Sequence, residues 1–186
     1  MCLSIVPNFL DGTFSRKEDL MDLVLWRHSK AEELPRFVDG QGESIRDFDR
    51  SLTDKGWRQA RKVSGWMGKR LDPSSRIIAS PSLRTIQTAQ CLGRTIQTLD
   101  LLYQGSARQI LSFLHWPELQ CTTVIVGHQP VIGRLASLIL TGEEFPLEVE
   151  TGAFFWFRWK EGYSGGKPVL VWAMSPGHLN KNYWEK

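Results

Sequence analysis

The sequence predicts an α/β protein, a three-layer α/β/α sandwich with a mostly parallel central sheet. Three observations carry this reading. Short apolar runs of strand length recur at residues 23–26, 76–79 and 122–126, the last of them rich in β-branched side chains. Between and after them lie segments whose apolar residues fall at helical spacing, so strands and helices alternate as parallel pairing requires. The chain has 186 residues, 41% hydrophobic and 23% charged, which suffices for one packed core and is too little for two full domains.

Taken in order, residues 23–26 read as a buried strand, with Arg27, His28 and Ser29 following at its carboxyl end. Residues 30–50 are largely charged and polar and read as loop. Thr53 is placed to cap a helix whose apolar positions Trp57, Ala60, Val63, Met67 and Leu71 share one face, and Asp72 and Pro73 stop it. Residues 76–79 are the second strand, Ser80 and Pro81 turn the chain, and Leu83, Ile86, Ala89, Gly93 and Ile96 mark a second amphipathic helix. A shorter helix covers residues 107–114. The strand at 122–126 runs into Gly127, His128, Gln129 and Pro130, and Pro130 suits the first turn of a helix carrying Val131, Ile132, Leu135, Leu138 and Ile139. Two further strands, at 153–159 and 168–173, flank a glycine-rich turn at 162–166.

Residues 1–20 precede the first strand and hold no group that the chemistry below requires. They read as an N-terminal extension or the product of a mis-assigned start codon, with residues 21–186 as a single domain. Their apolar stretch at 2–10 is interrupted by Pro7 and Asn8 and no Lys or Arg precedes it, which is unlike a signal peptide. No apolar run approaches the roughly 20 residues of a membrane-spanning helix. Cys2, Cys91 and Cys121 are odd in number and lack CxxC spacing, which suits a reducing compartment. The expectation is a cytoplasmic protein with no membrane partner. A net charge of +3 gives no support for a nucleic-acid partner, and neither GxGxxG nor GxxxxGK[ST] occurs.

The chemistry lies at the strand ends, where open α/β sheets bind ligands. His28 and His128, with Arg27, Arg50 and Arg84, sit on separate strand-to-helix loops and can converge into a cationic pocket with few opposing carboxylates. Such a pocket selects an oxyanion, since the guanidinium fork matches phosphate bidentately. A neutral imidazole inside it can attack phosphorus. An isolated Arg-His pair after a strand is most often a surface or capping pair, so the informative feature is the succession of several such elements.

That succession resembles the histidine phosphatase superfamily, also called phosphoglycerate-mutase-like. Residues 23–32, with Arg27, His28 and Ser29, resemble its strand and RHG signature. Asp49, Arg50, Ser51, Leu52, Thr53 and Gly56 resemble R-P-L-T-x-x-G. Ser80, Pro81, Leu83, Arg84, Gln87 and Thr88 resemble S-P-x-x-R-x-x-Q-T, and Gly127, His128 and Pro130 resemble G-H-x-P. The likeness runs from about residue 21 to residue 179. It includes Met174, Ser175, Pro176 and Gly177, a late element of the short bacterial phosphohistidine phosphatases of the SixA type.

The resemblance implies a metal-independent hydrolase without cofactor, acting through a covalent phosphohistidine intermediate. It assigns His28 as the nucleophile and Arg27, Arg84 and His128 as holders of the phosphoryl oxygens, with Arg50 as a fourth contact. Ser29 stands where the signature has Gly. If that position needed positive φ, Ser would cost on the order of 1 kcal/mol; otherwise its hydroxyl is free to donate to phosphate.

Substrate class follows from what the chain lacks. Arg84 and His128 are 44 positions apart, too close to hold a lid beside the elements already placed there, and Gln129 stands where the superfamily's acid phosphatases carry Asp. An open site without a strong acid favours an easily protonated leaving group, and imidazole, with a reference pKa of about 6.5, is one. A phosphohistidine-bearing protein is therefore the expected substrate and inorganic phosphate the product. The alternatives are a small-molecule phosphomonoesterase on the same scaffold and a catalytically weak phosphate-binding module. Glu32 and Glu33 are candidate acids, though both read more simply as solvated carboxylates. His115 and His178 lack metal spacing, and the aromatic strand Phe154, Phe155, Trp156, Phe157 and Trp159 reads as core. Thr151 and Gly152 resemble a family element near the pocket.

Overall fold

The structure, a computed structural model, describes residues 22–33, 47–160 and 166–179. The expected extension at 1–20 and all but Gly166 of the expected turn at 162–166 lie outside the described residues. The elements are β1 (Asp22–Arg27), α1 (Asp54–Gly68), β2 (Arg76–Ala79), α2 (Leu83–Gln90), β3 (Ile96–Thr98), α3 (Leu101–Gln104), α4 (Ala107–Leu114), β4 (Thr123–Gly127), α5 (Val131–Thr141), β5 (Phe154–Lys160) and β6 (Lys167–Met174).

One six-stranded sheet runs in the order β3-β2-β4-β1-β5-β6. Strands β3, β2, β4 and β1 pair in parallel, and β5 and β6 add antiparallel. Side chains alternate along β1 and divide the core in two. Leu23 and Leu25 meet Ile125, Ile110, Ile132 and Leu135 under α4 and α5. Val24 and Trp26 meet Val124, Val126, Ala60, Val63 and Met67 under α1. With both faces covered, β1, β2 and β4 read as apolar runs, which is why the sequence marked them. The three-layer, mostly parallel architecture is as expected. No helix among the described residues is long and apolar enough to cross a membrane.

The local signals also act as read. Thr53 Oγ1 accepts the Gly56 N–H at 3.0 Å and starts α1. The helix expected at 107–114 is α4, and its start carries a signal that the sequence reading had not used, a reciprocal capping box of Ser106 and Gln109. One helix was over-extended, however. The apolar spacing had carried it through Gly93 to Ile96, but α2 ends at Gln90, Gly93 turns the chain at φ +64°, and Ile96–Thr98 is an edge strand on β2. Gly93 continued the helical period only by chance; it supplies a left-handed turn that an L-residue resists. Part of the expected loop before Arg50 is also helical, at Asp47 and Phe48.

Candidate active site

Strands β1 and β4 are neighbours with Arg27 opposite Gly127, so the residues that follow, His28 and His128, emerge side by side. Their rings are 5.3 Å apart at 60°, and both residues are buried. The His28 N–H donates to the Gly127 carbonyl at 2.9 Å, and Gly152 N–H donates to the His28 carbonyl at 3.0 Å. Gly152, at φ +79°, has room for no side chain: a Cβ there would lie 2.8 Å from Pro176 Cγ. Gly152 thus clamps the loop that carries His28, and Pro176 of the late element backs it.

The rest of the loop is strapped to α1 and α2. Lys30 N–H donates to Gln59 Oε1 at 3.0 Å, Thr53 donates to the Lys30 carbonyl through its N–H at 3.0 Å and its hydroxyl at 3.1 Å, and Ser29 N–H donates to Thr88 Oγ1 at 3.1 Å. Gln87 Oε1 accepts Leu52 N–H at 2.7 Å. The Gln87-Thr88 pair of the sequence pattern is therefore a brace for the two loops bearing His28 and Arg50. Ser29 needs no positive φ: among the described residues His115 is the only non-glycine with one.

His28 Nδ1 lies 2.8 Å from the Ser29 carbonyl. A carbonyl only accepts, so Nδ1 carries the proton and Nε2 is left with its lone pair. Burial pushes the His28 pKa down to about 4; the Ser29 bond opposes the shift, and the charges of Arg84, Arg27 and Arg50 add to it. His28 is thus neutral at pH 7. His128 is pushed down to about 3, by burial first and then by Arg84 and His28. Its Nε2 lies 2.8 Å from Ser80 Oγ and 3.4 Å from Ser82 Oγ.

Arg84 is 4% exposed, and its guanidinium is fixed by Asp47: Nη2 meets the carboxylate at 3.0 Å and Nη1 donates to the Asp47 carbonyl. The other carboxylate oxygen holds Arg50 at 2.9 Å, and Arg50 also donates to the Glu32 carbonyl at 3.0 Å. Tyr103 OH donates to Asp47 at 3.2 Å, and its ring lies edge-on to His128 at 5.4 Å. Burial alone would raise the Asp47 pKa, but Arg84 and Arg50 hold it below the ordinary carboxylate range. On the far side Arg27 donates to the Val149 carbonyl, with the Glu148 charge acting on it. The pocket is thus not short of opposing carboxylates, as the sequence had implied: Asp47 stands among the arginines. Three residues before Arg50, its pairing there was a readable signal; its contacts with Arg84 and Tyr103, 37 and 56 positions away, were not.

Seven buried side-chain N and O atoms among the described residues lack a hydrogen-bond partner, and five belong here: Arg27 Nε, Arg50 Nε, Arg84 Nε, His128 Nδ1 and Ser29 Oγ. Buried polar groups are normally satisfied, so this concentration marks a site built to hold a polar ligand, and three guanidinium N–H donors suit an oxyanion. Gln129 takes no part, because Nε2 donates to the Leu147 carbonyl at 2.7 Å and Oε1 accepts Gly133 N–H at 3.0 Å. Glu32 and Glu33 are exposed. Among the described residues no cluster of His, Cys, Asp or Glu could hold a metal ion.

Comparison with known proteins agrees with this arrangement. The profile of the histidine phosphatase superfamily (branch 1) matches residues 23–105. An uncharacterized Picosynechococcus protein is 30% identical over 131 residues, 66% of this chain and 75% of that one. The structure of the protein histidine phosphatase SixA complexed with tungstate superposes with a TM-score of 0.66 at 25% identity, covering 86% of this chain and all of that one. A phosphoserine phosphatase from Entamoeba histolytica, at 20% identity, shares the fold with a TM-score of 0.60 over 87% of this chain and all of that one. From the RHS loop at His28 to the strand pairing that sets His128 beside it, the chain belongs to the histidine phosphatase superfamily and is SixA-like within it.

Proposed function

We propose that the protein is a phosphohistidine phosphatase, removing the phosphoryl group from histidine on a protein partner through a covalent phospho-His28 intermediate. The observation that carries this reading is the His28 tautomer: Nδ1–H is committed to the Ser29 carbonyl and the ring is kept neutral, so Nε2 offers a lone pair at neutral pH.

Nε2 attacks phosphorus in line with the leaving nitrogen. The P–N bond of the substrate breaks as a P–N bond to His28 forms. Arg27, Arg84 and His128 hold the equatorial oxygens, Arg50 adds charge, and the Ser29 hydroxyl is a further donor; these groups stabilise the loosely bound phosphoryl in transit. The departing imidazole takes a proton from solvent, which a group of reference pKa about 6.5 does readily. Water then attacks phospho-His28, releasing inorganic phosphate and restoring the imidazole. No step draws on Gln129, consistent with a leaving group that needs no strong acid.

The test is a panel of a histidine-phosphorylated protein, sugar phosphates and p-nitrophenyl phosphate. The phosphohistidine protein should give the highest kcat/KM by at least an order of magnitude. A sugar phosphate in that place would make the chain a small-molecule phosphomonoesterase, and phosphate binding without turnover of any substrate would make it a binding module.

A further inference from the structure

Helix α1 buries Gly56, Ala60, Val63, Ser64 and Met67, and its opposite face presents Lys55, Arg58, Arg61 and Lys62, all exposed. The only carboxylate on the helix is Asp54 at its first position. Among the described residues none of the four cations is in an ion pair, and Arg61 lies over the half-buried Trp57 ring at 5.5 Å.

This placement works against the helix. Lys55 in the first turn opposes the macrodipole, and like charges three or four residues apart, as at Lys55, Arg58 and Lys62, repel one another. Among the described residues no ion pair offsets this repulsion, and an acidic ligand lying along the face would. The face also begins at the reacting loop. The start of α1 is locked to Lys30, two residues past His28, by the Thr53 and Gln59 hydrogen bonds. From residue 54 to residue 62 the helix advances only about 12 Å at 1.5 Å per residue. Elsewhere on the border, the segment that holds Arg27 through the Val149 carbonyl carries the exposed Glu148 and Glu150. The surface around the site is therefore polarised, although the whole chain is nearly neutral at +3.

We propose that the exposed face of α1 is the docking surface for an acidic stretch of the substrate protein, which lies along Lys55, Arg58 and Lys62 beside Trp57 while its phosphohistidine enters the pocket at His28. This inference rests on the reading of the substrate as a phosphohistidine protein. The cations steer the encounter and fix its orientation, since the Glu148 and Glu150 border repels the same partner. Trp and Arg at its edge are residue types that anchor interfaces.

The experiment compares two histidine-phosphorylated peptides alike except for their flanks, one rich in Glu and Asp, the other in Gln and Asn. The protein should turn over the acidic peptide with about ten-fold higher kcat/KM at low salt, the advantage residing in KM and fading as salt screens it. In the triple variant Lys55→Glu/Arg58→Glu/Lys62→Glu the ratio should fall below one. The milder Lys55→Gln/Arg58→Gln variant should bring it towards one, with thermal unfolding showing that both variants remain folded. Equal turnover of the two peptides, or a ratio that the substitutions leave unmoved, would overturn the docking face while leaving phosphohistidine hydrolysis standing. No turnover of either peptide would overturn the substrate reading itself. If a single-stranded RNA oligonucleotide bound the face and the acidic peptide did not, the face would belong to nucleic acid and the proposal would fall.

Discussion

At the scale of single residues, the site depends on how few atoms decide the state of its histidines and arginines. The Ser29 carbonyl selects the His28 tautomer, and burial among arginines keeps the ring neutral down to a pKa of about 4. The acid limb of kcat/KM for the free enzyme should therefore fall well below pH 6.5, the ordinary imidazole value. A limb at 6.5 that vanished in His28→Ala would contradict the assigned environment. Both histidines bind fewer protons folded than unfolded, so the stability they contribute is fully present above pH 6.5 and is lost as pH falls towards about 4 for His28 and about 3 for His128. Denaturant titrations should show a loss of several kcal/mol across that window, roughly 3 kcal/mol of it from His28. Asp47 is the residue whose role sequence could not supply in full, because Arg84 and Tyr103 come to it only in the fold. Its charge offsets Arg84 and Arg50, so Asp47→Asn should tighten inorganic phosphate, by about five-fold if about 1 kcal/mol of opposing charge is removed. Calorimetric titration with phosphate measures this; weaker binding would mean that Asp47 serves chiefly to aim Arg84.

At the scale of elements, the loop that carries His28 is held from two helices and one strand turn, and the braces are residues of the sequence pattern other than the proposed phosphate contacts. Gln87, Thr88, Thr53 and Gly56 were legible as pattern, but their purpose emerged only once Leu52, Ser29 and Lys30 were seen hydrogen-bonded to Gln87, Thr88 and Thr53. Gly56 is the tightest of these contacts. A Cβ there would lie 2.0 Å from the Lys30 carbonyl oxygen, so α1 can approach the loop only because this residue has no side chain. Gly56→Ala should cost about 1–3 kcal/mol or more and lower kcat, since the strain falls two residues from His28. Thermal unfolding and turnover measured together check it, and an unchanged Tm would show that the loop yields freely. The missed elements, β3 and α3, are short and peripheral. A strand of three residues at Ile96–Thr98 has too little alternation to compete with the helical period running into it from α2.

At the scale of the whole molecule, the sequence disclosed the layers because β1, β2 and β4 are largely buried, and it pointed to the candidate site because both histidines follow such strands directly. The strand order was not legible. The adjacency of β1 and β4, separated by about a hundred residues of chain, is what turns two distant dipeptides into one pocket. The hydrogen bonds of Thr53 and Gln59 to Lys30 bring the start of α1, with its exposed basic face, close to the loop that carries His28. The central claim is that His28 carries the phosphoryl group, and trapping the intermediate tests it most directly. After brief reaction with a ³²P-labelled phosphohistidine protein and quenching in base, peptide mapping should find an acid-labile label on His28. The label should be absent together with turnover in His28→Ala, and reduced but not relocated in His128→Ala. Label on any other residue, or undiminished turnover in His28→Ala, would contradict the account.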